Sequence, residues 1–242
     1  MPNIVEKMST NYSPNFELKP RSKKSIKYLI FHYTGMKNDR SAIKKLTNEK
    51  SKVSCHYYVT KIGNIIKLVP DIYISWHAGK SKWKKDEMLN VNSIGVEISN
   101  PGHQFGYRQF NKKQINCIIK ISKSLIKKYR IKKQNILGHS DISPLRKKDP
   151  GEKFPWKFLA KKKIGIWHKL KPNECKKLRG KKLELKQKFF LVKLSKFGYD
   201  INYSNLADLK KIVKSFQRRF RPELVDGIID KECFKIIKSL VL

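Results

Sequence analysis

The segment 138–151, GHSDISPLRKKDPG, concentrates groups that can bind a metal ion or transfer a proton. It contains a histidine, His139, and an aspartate, Asp149, ten residues further along the chain. Pro144 and a Pro-Gly pair after the aspartate prevent a continuous helix or strand. A loop of this length can leave a sheet and curl back, so that both side chains reach one ion. A solvated surface loop with an Asx turn at Asp141 is the alternative interpretation.

A third candidate ligand, His32, lies near the end of the run 28–35, YLIFHYTG. Together with His139 and Asp149 it offers two imidazole nitrogens and one carboxylate oxygen. This is the three-ligand set of a catalytic zinc ion, which keeps a fourth position open to water. The sequence contains no strong local motif such as H-E-x-x-H. Spacing alone therefore leaves the metal site and the surface loop both open.

Three short apolar runs predict the strands that position these residues. YLIFHYTG is a compact run of β-branched and aromatic residues, typical of a strand buried on both faces, and it carries His32 at its carboxyl end. QNILGH, residues 134–139, predicts a shorter strand that ends on His139. In NSIGVEISN, residues 92–100, the apolar residues alternate, so Glu97 points from the other face. Because ligands in open sheets gather beyond the carboxyl ends of the strands, we expect the candidate ligands to meet there.

Helices and a hairpin complete the expected fold. Apolar residues at three- and four-residue spacing follow Asn111, a good helix cap, up to Tyr129, and a shorter helix is predicted over 41–49. The Gly63-Asn64 pair between two alternating runs predicts a β-hairpin. Strands mixed with helices in this order predict an α/β domain with a mixed central sheet flanked by helices.

The pattern divides the chain into four parts. Residues 1–24 are polar and contain several prolines, which predicts an N-terminal arm without an element, and residues 25–170 form the α/β domain. Residues 171–184 form a lysine-rich basic linker. Residues 185–242 predict a small C-terminal helical domain, because two apolar helical faces occur in it. These faces consist of Leu206, Leu209, Ile212, Val213, Phe216 and Phe220, and of Phe234, Ile237 and Leu240.

The chain is strongly basic, since 56 Lys and Arg residues against 19 Asp and Glu residues give a formal net charge of +37. Such a surface attracts polyanions, for example nucleic acids, anionic lipids or the acidic polymers of a cell wall. A compositional bias toward lysine, isoleucine and asparagine is the alternative explanation. The sequence lacks the basic motifs interleaved with aromatic residues that known nucleic-acid-binding modules contain, so we expect no specific nucleic-acid partner.

The four cysteines are far apart and form no C-x-x-C pair, so free thiols are expected. Residues 1–27 contain no apolar run of the length found in signal peptides, and no apolar string is long enough to span a bilayer. The location stays open between the cytoplasm, where the chain as written would remain, and the periplasm or the cell envelope. We expect no membrane span. We also expect a monomer.

Five ordered motifs resemble one enzyme family. FHYTG, SCHYYV, SWHAGKSKW, NSIGVEISNPG and GHSDISPLRKKDPGEKFPW, spread over about residues 25–170, are similar to the zinc-dependent N-acetylmuramoyl-L-alanine amidases of the type 2 amidase family, which is related to the peptidoglycan recognition proteins. The resemblance implies hydrolysis of the amide bond between the lactyl group of N-acetylmuramic acid and L-alanine. The substrate would be peptidoglycan or muropeptides, in cell-wall turnover or recycling.

The resemblance also implies roles for single residues. His32, His139 and Asp149 match the family's zinc ligands. Glu97 matches its catalytic glutamate, which would move a proton from water to the departing amine, and Lys147 matches the lysine that would stabilise the oxyanion together with zinc. The pairing of an aspartate ligand with a glutamate resembles the bacterial recycling and envelope branch, since other members use a cysteine ligand and a tyrosine.

Three further residues lie in the motifs. Trp76 and His77, in SWHAGKSKW, are candidate substrate-binding residues, and His77 resembles a cleft-lining position of the family. Core packing is the alternative for His77. His56, in SCHYYV, is expected to make a hydrogen bond and not to bind the metal ion.

The C-terminal segments KLSKFGY and FQRRFRPELVDGIID resemble a peptidoglycan-binding module of three helices. Cys233 and Phe234 stand where that module has threonine and tryptophan, so a helical packing domain that has lost this affinity is the alternative. Two alternatives remain for the whole chain: a non-catalytic peptidoglycan-binding protein, and a basic nucleic-acid-binding protein.

Overall fold

The computed structural model describes residues 12–182 and 187–241, and the chain divides into two compact units. The first unit combines the residues up to Gly79 with Met88–Leu137. The second unit combines Lys80–Glu87 with the residues from Gly138 onward. The second unit is therefore built from two separate stretches of the chain. The domain boundaries expected from the sequence, at residues 25, 171 and 185, stay a prediction.

The strands are β1 (Phe16–Glu17), β2 (Tyr28–Tyr33), β3 (Tyr57–Val59), β4 (Ile65–Lys67), β5 (Ile74–Ser75), β6 (Lys82–Trp83), β7 (Asp86–Glu87), β8 (Ser93–Ile98) and β9 (Ile136–Gly138). The α-helices are α1 (Asp39–Thr47), α2 (Lys112–Tyr129), α3 (His139–Ile142), α4 (Trp156–Lys161), α5 (Pro172–Leu178), α6 (Gln187–Phe197), α7 (Leu206–Phe220) and α8 (Lys231–Leu240). Short 3-10 turns lie at Lys23–Ser25, Glu49–Ser51, Leu89–Asn92 and Lys133–Asn135.

The first unit contains a five-stranded mixed sheet with the strand order β4-β3-β8-β2-β9. Strands β2 and β3 both run parallel to β8, and β3 and β4 form the antiparallel hairpin predicted at the Gly63-Asn64 turn. Almost every residue of β2 and β8 is buried, as their continuous apolar runs predict. The sheet and its helices confirm the predicted α/β fold class.

Helix α2 begins at the predicted cap. The Asn111 side chain accepts a hydrogen bond from the Gln114 backbone N–H, and the Gln114 side chain accepts one from the Asn111 backbone N–H. This capping box satisfies two backbone donors that the helix itself leaves without partners. Ile118, Leu125 and Tyr129 are buried, as the three- and four-residue spacing predicts.

The second unit contains helices α6, α7 and α8 where the sequence predicts three helices. Phe190 of α6 packs edge-on against Phe216 of α7 with ring centroids 5.4 Å apart, and both are fully buried. The predicted apolar face of α7 is buried except in its first turn, where Leu206 is 75% exposed.

The β6–β7 hairpin also belongs to the second unit and packs against the end of α6. Trp83 is fully buried and lies edge-on to Phe197 and Tyr199, with ring centroids 5.7 and 5.0 Å apart. A Cβ atom at Gly198 would lie 2.4 Å from Trp83 Cε2, so only glycine fits there. The Gly198 carbonyl accepts a hydrogen bond from the Lys84 backbone N–H at 2.8 Å.

The expectation of an N-terminal arm without an element needs correction for residues 12–24. Strand β1 pairs antiparallel with β5, and the side chains of Ser13 and Asn15 are buried. Asn15 Nδ2 donates to the carbonyl oxygens of Asn48 and Val53, both at 2.9 Å. A polar segment is held here by side-chain hydrogen bonds to distant backbone groups, which a hydrophobic pattern cannot reveal.

The basic linker expected over 171–184 also contains structure. Pro172 begins helix α5, where the missing backbone N–H of proline costs nothing. Arg179, directly after this helix, donates through Nε and Nη2 to Glu232 of α8 at 2.8 and 2.9 Å. The buried carboxylate of Glu232 therefore ties this segment to the last helix. Residues 183–186 lie outside the described residues.

The four cysteines are free thiols, and burial raises the pKa of Cys233 to about 12. Of the helices that the structure describes, none combines the length and the apolar character that crossing a membrane requires.

Candidate metal centre

Strands β2 and β8 place His32 and Glu97 next to each other. The two residues are register partners in a parallel ladder, where neighbouring strands are about 4.8 Å apart, so both side chains project from the same face of the sheet. His32 is 1% exposed and Glu97 is half-buried. The glutamate thus points from the face opposite to its apolar neighbours in β8, as the alternation predicts.

The segment that contains His139 and Asp149 folds back on itself within the second unit. His139 Nδ1 lies 3.0 Å from Asp149 Oδ2, and both residues are buried. The Ser140 backbone N–H donates to the Asp149 carbonyl oxygen at 2.8 Å. A Cβ atom at Gly138 would lie 2.6 Å from Pro150 Cδ, so the close approach of the two ends requires glycine. The segment begins with the helical turn α3, which the sequence does not predict.

The structure brings the three predicted metal ligands together. One nitrogen or oxygen atom from each of His32, His139 and Asp149 lies within 4.8 Å of the other two, and all three residues are buried. Two neutral imidazoles and one carboxylate are a donor set that suits zinc and keeps a coordination position for water or substrate. The side chains present therefore fit a catalytic zinc ion.

His77 lies directly against the candidate ligand His32. His77 Nδ1 is 3.0 Å from His32 Nε2, and the rings meet edge-on with centroids 5.1 Å apart. His77 also covers Gly95 of β8 so closely that a Cβ atom there would lie 2.4 Å from His77 Cγ. His77 is thus packed inside the first unit, and its prediction as a substrate-binding residue stays a prediction.

A chain of hydrogen bonds assigns the protons on these two histidines. The Ser93 hydroxyl donates to the Leu89 carbonyl oxygen, so its oxygen accepts from His77 Nε2–H at 3.1 Å. His77 Nδ1 then carries a lone pair and accepts from His32 Nε2–H. His32 Nδ1 is consequently the nitrogen whose lone pair can point at a metal ion. Hydrogen bonds to the second nitrogen of a ligand histidine commonly set its tautomer and orientation in this way.

His56 makes hydrogen bonds within the first unit, as predicted. Its Nδ1 lies 3.0 Å from the Gly95 backbone nitrogen, which donates to it, and its Nε2 lies 3.1 Å from the Tyr73 carbonyl oxygen. Burial, followed by the nearby guanidinium of Arg21, lowers the pKa of His56 to about 3. The buried imidazole of His56 is therefore neutral, and it is hydrogen-bonded to β8 through the Gly95 backbone N–H.

The other two predicted site residues are Trp76 and Lys147. The Trp76 indole N–H donates to Glu17 Oε1 at 3.0 Å, and its ring lies under the Lys52 ammonium group. Its role in substrate binding stays a prediction. Lys147 is half-buried in the segment before Asp149, whereas Lys148 is exposed. The Lys147 backbone N–H donates to the Ser143 carbonyl oxygen at 3.0 Å.

Sequence reasoning missed Ser93 as part of the site. Its hydroxyl is fully buried and joins Leu89 to His77, but a single serine at the start of a strand carries no distinctive pattern. Its place as the first residue of β8, directly before the apolar residues of that strand, was the available signal.

Comparisons with known proteins identify the family. Residues 22–152 match the family described as N-acetylmuramoyl-L-alanine amidase. The chain is 34% identical over 230 residues to the N-acetylmuramoyl-L-alanine amidase AmiD of Escherichia coli K12, which covers 89% of this chain and 82% of that protein. The structure of E. coli AmiD in complex with the substrate anhydro-N-acetylmuramic acid-L-Ala-D-gamma-Glu-L-Lys superimposes with a TM-score of 0.80 at 31% identity, covering 97% of this chain and 92% of that one.

A second solved structure is similar over the same extent. AmpDh3 of Pseudomonas aeruginosa, in complex with anhydromuramic pentapeptide, superimposes with a TM-score of 0.79 at 27% identity, covering 97% of each chain. The matched range 22–152 spans the three grouped residues His32, His139 and Asp149, whose roles stay a prediction. The family match covers more than half of the sequence, and AmiD is similar over most of it. The chain therefore belongs to the N-acetylmuramoyl-L-alanine amidase family.

Proposed function

We propose that this amidase is zinc-dependent and hydrolyses the amide bond between the lactyl group of N-acetylmuramic acid and L-alanine in muropeptides or peptidoglycan. The observation that carries the proposal is the grouping of ligand atoms from His32, His139 and Asp149 within 4.8 Å. His32 lies far from the other two residues in the sequence, and two imidazoles with one carboxylate form the ligand set of a catalytic zinc ion.

In this proposal the three residues hold the zinc ion. When bound, zinc acts as a Lewis acid on the scissile carbonyl and lowers the pKa of water to about 7. His32 offers Nδ1, because its Nε2–H is engaged by His77. Asp149 supplies the negative charge of the site, and burial of all three side chains excludes competing solvent.

Glu97 is the proposed general base and acid. It lies beside His32 on the neighbouring strand and projects from the same face. Its carboxylate would accept a proton from the attacking water and then donate it to the departing amino group of L-alanine. A carboxylate that is half-buried on a rigid central strand is held in place for both transfers.

Lys147 is the proposed electrostatic stabiliser. It lies two residues before Asp149, and its backbone N–H donates a hydrogen bond to the Ser143 carbonyl oxygen. Its ammonium group would donate to the carbonyl oxygen as negative charge develops there in the tetrahedral transition state. Its neighbour Lys148 is exposed and has no proposed role.

The proposed substrate class is a muramyl peptide, used in cell-wall turnover or recycling. AmiD and AmpDh3 are both similar to this chain over nearly its full length, and both were solved with anhydromuramyl peptides. A net charge of +37 adds a general attraction to the carboxylates of stem peptides and wall polymers. The predicted peptidoglycan-binding role of α6–α8 is part of the proposal and rests on the sequence resemblance.

The test is mass spectrometry of muropeptides incubated with the purified chain, with and without a chelator. We expect release of the intact stem peptide with a free L-alanine amino group, abolished by the chelator and restored by zinc. His139→Ala and Asp149→Ala should lose both the metal ion and the activity. Full activity of either variant without metal would refute the assignment. Equimolar zinc without any peptide release would favour a non-catalytic peptidoglycan-binding protein.

A filter-binding titration tests the basic nucleic-acid-binding alternative. Tight, sequence-selective retention of DNA or RNA at physiological salt would favour that alternative, whereas weak retention that salt removes would reflect charge alone.

A further inference from the structure

The backbone around His139 is held by one buried carboxylate, that of Asp141. This residue is 1% exposed and lies two positions after His139. Its Oδ2 accepts a hydrogen bond from the Gly138 backbone N–H at 2.7 Å, which fixes the first turn of α3. A buried carboxylate with a single backbone donor would be poorly compensated, so its other partners decide how it is held.

These other partners come from the C-terminal helices. Arg219 of α7 donates through Nη1 to Asp141 Oδ2, and the hydroxyl of Tyr199, just after α6, donates to Asp141 Oδ1. Arg219 and Tyr199 are each 2% exposed. Burial, followed by the charge of Asp141, raises the pKa of Tyr199 well above its usual range, so its phenol stays protonated and remains a donor.

A second contact joins α7 to the same turn. The Ser215 hydroxyl donates to the Ser140 carbonyl oxygen, while the Ser140 N–H donates to the Asp149 carbonyl oxygen. Ser215 and Arg219 are four residues apart and therefore lie on one face of α7. One face of α7 thus binds Ser140 and Asp141, the two residues that follow His139. Ser140 is also hydrogen-bonded to Asp149.

Arg219 itself is held firmly. Its guanidinium group lies over the rings of Trp156 and Phe220, 4.6 and 4.9 Å from their centroids. Tyr199 packs edge-on against Trp83, and Gly198 in turn packs closely against Trp83. A buried ion pair seldom adds stability over apolar residues of the same size, but it specifies one geometry. The geometry specified here is that of the segment carrying His139 and Asp149.

We infer that α7 and the turn after α6 position two of the proposed metal ligands, His139 and Asp149, with Arg219 and Tyr199 as positioning residues that act through Asp141. The inference rests on the proposed zinc-dependent function. It gives the C-terminal helices a role in the metal centre that is independent of any affinity for peptidoglycan. Neither residue contacts the ligand side chains in the described hydrogen bonds; both act on the backbone turn that carries them.

The test uses the full chain and measures zinc affinity by competition with a chelator. Tyr199→Phe removes one hydroxyl and keeps the ring against Trp83, and Arg219→Lys keeps the charge but loses the shape of the guanidinium. We expect each variant to bind zinc about 10- to 100-fold more weakly, as is common when a group that orients a metal ligand is lost. The visible spectrum of the cobalt-substituted variants should also change, because it reports the geometry of the ligands.

Gln217→Met is the matched control on the same helix. Gln217 is fully buried, and its side chain bonds Asp226, Ile228 and Gly227, away from α3. We expect this variant to lower the melting temperature without changing zinc affinity or the cobalt spectrum. If Tyr199→Phe and Arg219→Lys match the wild type in both measurements, the inference is wrong, while the proposed zinc-dependent function still stands. If the wild type binds no zinc, the proposed function fails and the inference fails with it.

Discussion

His77 Nδ1 lies 3.0 Å from Nε2 of His32, and this contact fixes which nitrogen of His32 faces the candidate metal site. The order of donors runs from His32 through His77 and Ser93 to the Leu89 carbonyl oxygen. His32, His77 and Ser93 each donate one proton to the next member, and the Leu89 carbonyl oxygen is the final acceptor. The orientation of this candidate metal ligand is thus set by residues outside the proposed ligand set.

Ser93→Ala should weaken zinc binding about 10-fold or more, because His77 loses the acceptor that fixes its tautomer. Activity at saturating zinc should stay close to that of the wild type. Isothermal titration with zinc gives the affinity, and nitrogen NMR of the histidine rings reports the tautomers.

Ser122→Ala is the control for this prediction. Ser122 is a fully buried serine of α2, and within the described residues its hydroxyl has no hydrogen-bond partner. It should therefore leave zinc affinity unchanged. Equal zinc affinities for the Ser93 and Ser122 variants would contradict the proposed chain of donors.

Glu97→Gln should lower kcat by about 100- to 10,000-fold while zinc remains bound, because the amide keeps the size of the side chain but cannot take up a proton. Single-turnover kinetics and metal analysis of the same preparation give both values. Glu87→Gln, at an exposed position of β7, should behave like the wild type. Near-normal kcat in the Glu97 variant would move the base to another residue.

Lys147→Ala should reduce kcat by about 100-fold or more with little change in KM, because its charge is needed mainly when the oxyanion forms. Lys148→Ala is a matched control, because it removes the same type of side chain from the neighbouring, exposed position. Steady-state kinetics on a defined muropeptide would compare them. Similar losses in both variants would indicate a general effect of charge on substrate binding.

His56 predicts a specific acid sensitivity of the first unit. Its pKa in the folded protein is about 3, below the value of about 6.5 expected in the unfolded chain. The unfolded state therefore binds more protons between these values, and the free energy of unfolding falls as the pH decreases through this window, with a slope of up to about 1.4 kcal/mol per pH unit from this group.

His56→Gln removes this titration and keeps a polar side chain. The advantage of the wild type over the variant in unfolding free energy should shrink steadily as the pH falls from about 6.5 toward 3. Urea denaturation at several pH values in this range measures it. A constant difference across the window would show that His56 is not buried in its neutral form.

Much of the site is predictable from the sequence because its residues stand at the ends of strongly patterned strands. The runs around His32, Glu97 and His139 are apolar enough to define β2, β8 and β9, and the carboxyl ends of such strands converge. Pro144 before Asp149 and the Pro-Gly pair after it predict a return of the chain. These features bring the candidate ligands to one edge of the sheet, whereas the preference for a metal site over a surface loop came from the resemblance to the amidase family.

The supporting contacts are not predictable in the same way. Arg219 and Asp141 are 78 residues apart, and in a chain with 56 basic residues nothing in the sequence singles out this arginine. The Asn15 side chain donates hydrogen bonds to backbone carbonyl oxygens 33 and 38 positions away, and such contacts produce no periodic pattern in the sequence. Such pairs are set by tertiary geometry, so only the folded chain reveals them.

The hairpin at Lys80–Glu87 has a consequence for folding on the ribosome. Trp83 is synthesised more than a hundred residues before Gly198 and Tyr199, the residues against which it is buried. Until they emerge, its indole lacks these two partners, and the closure of so long a loop is slow. We therefore expect Trp83 to become fully buried only late in folding.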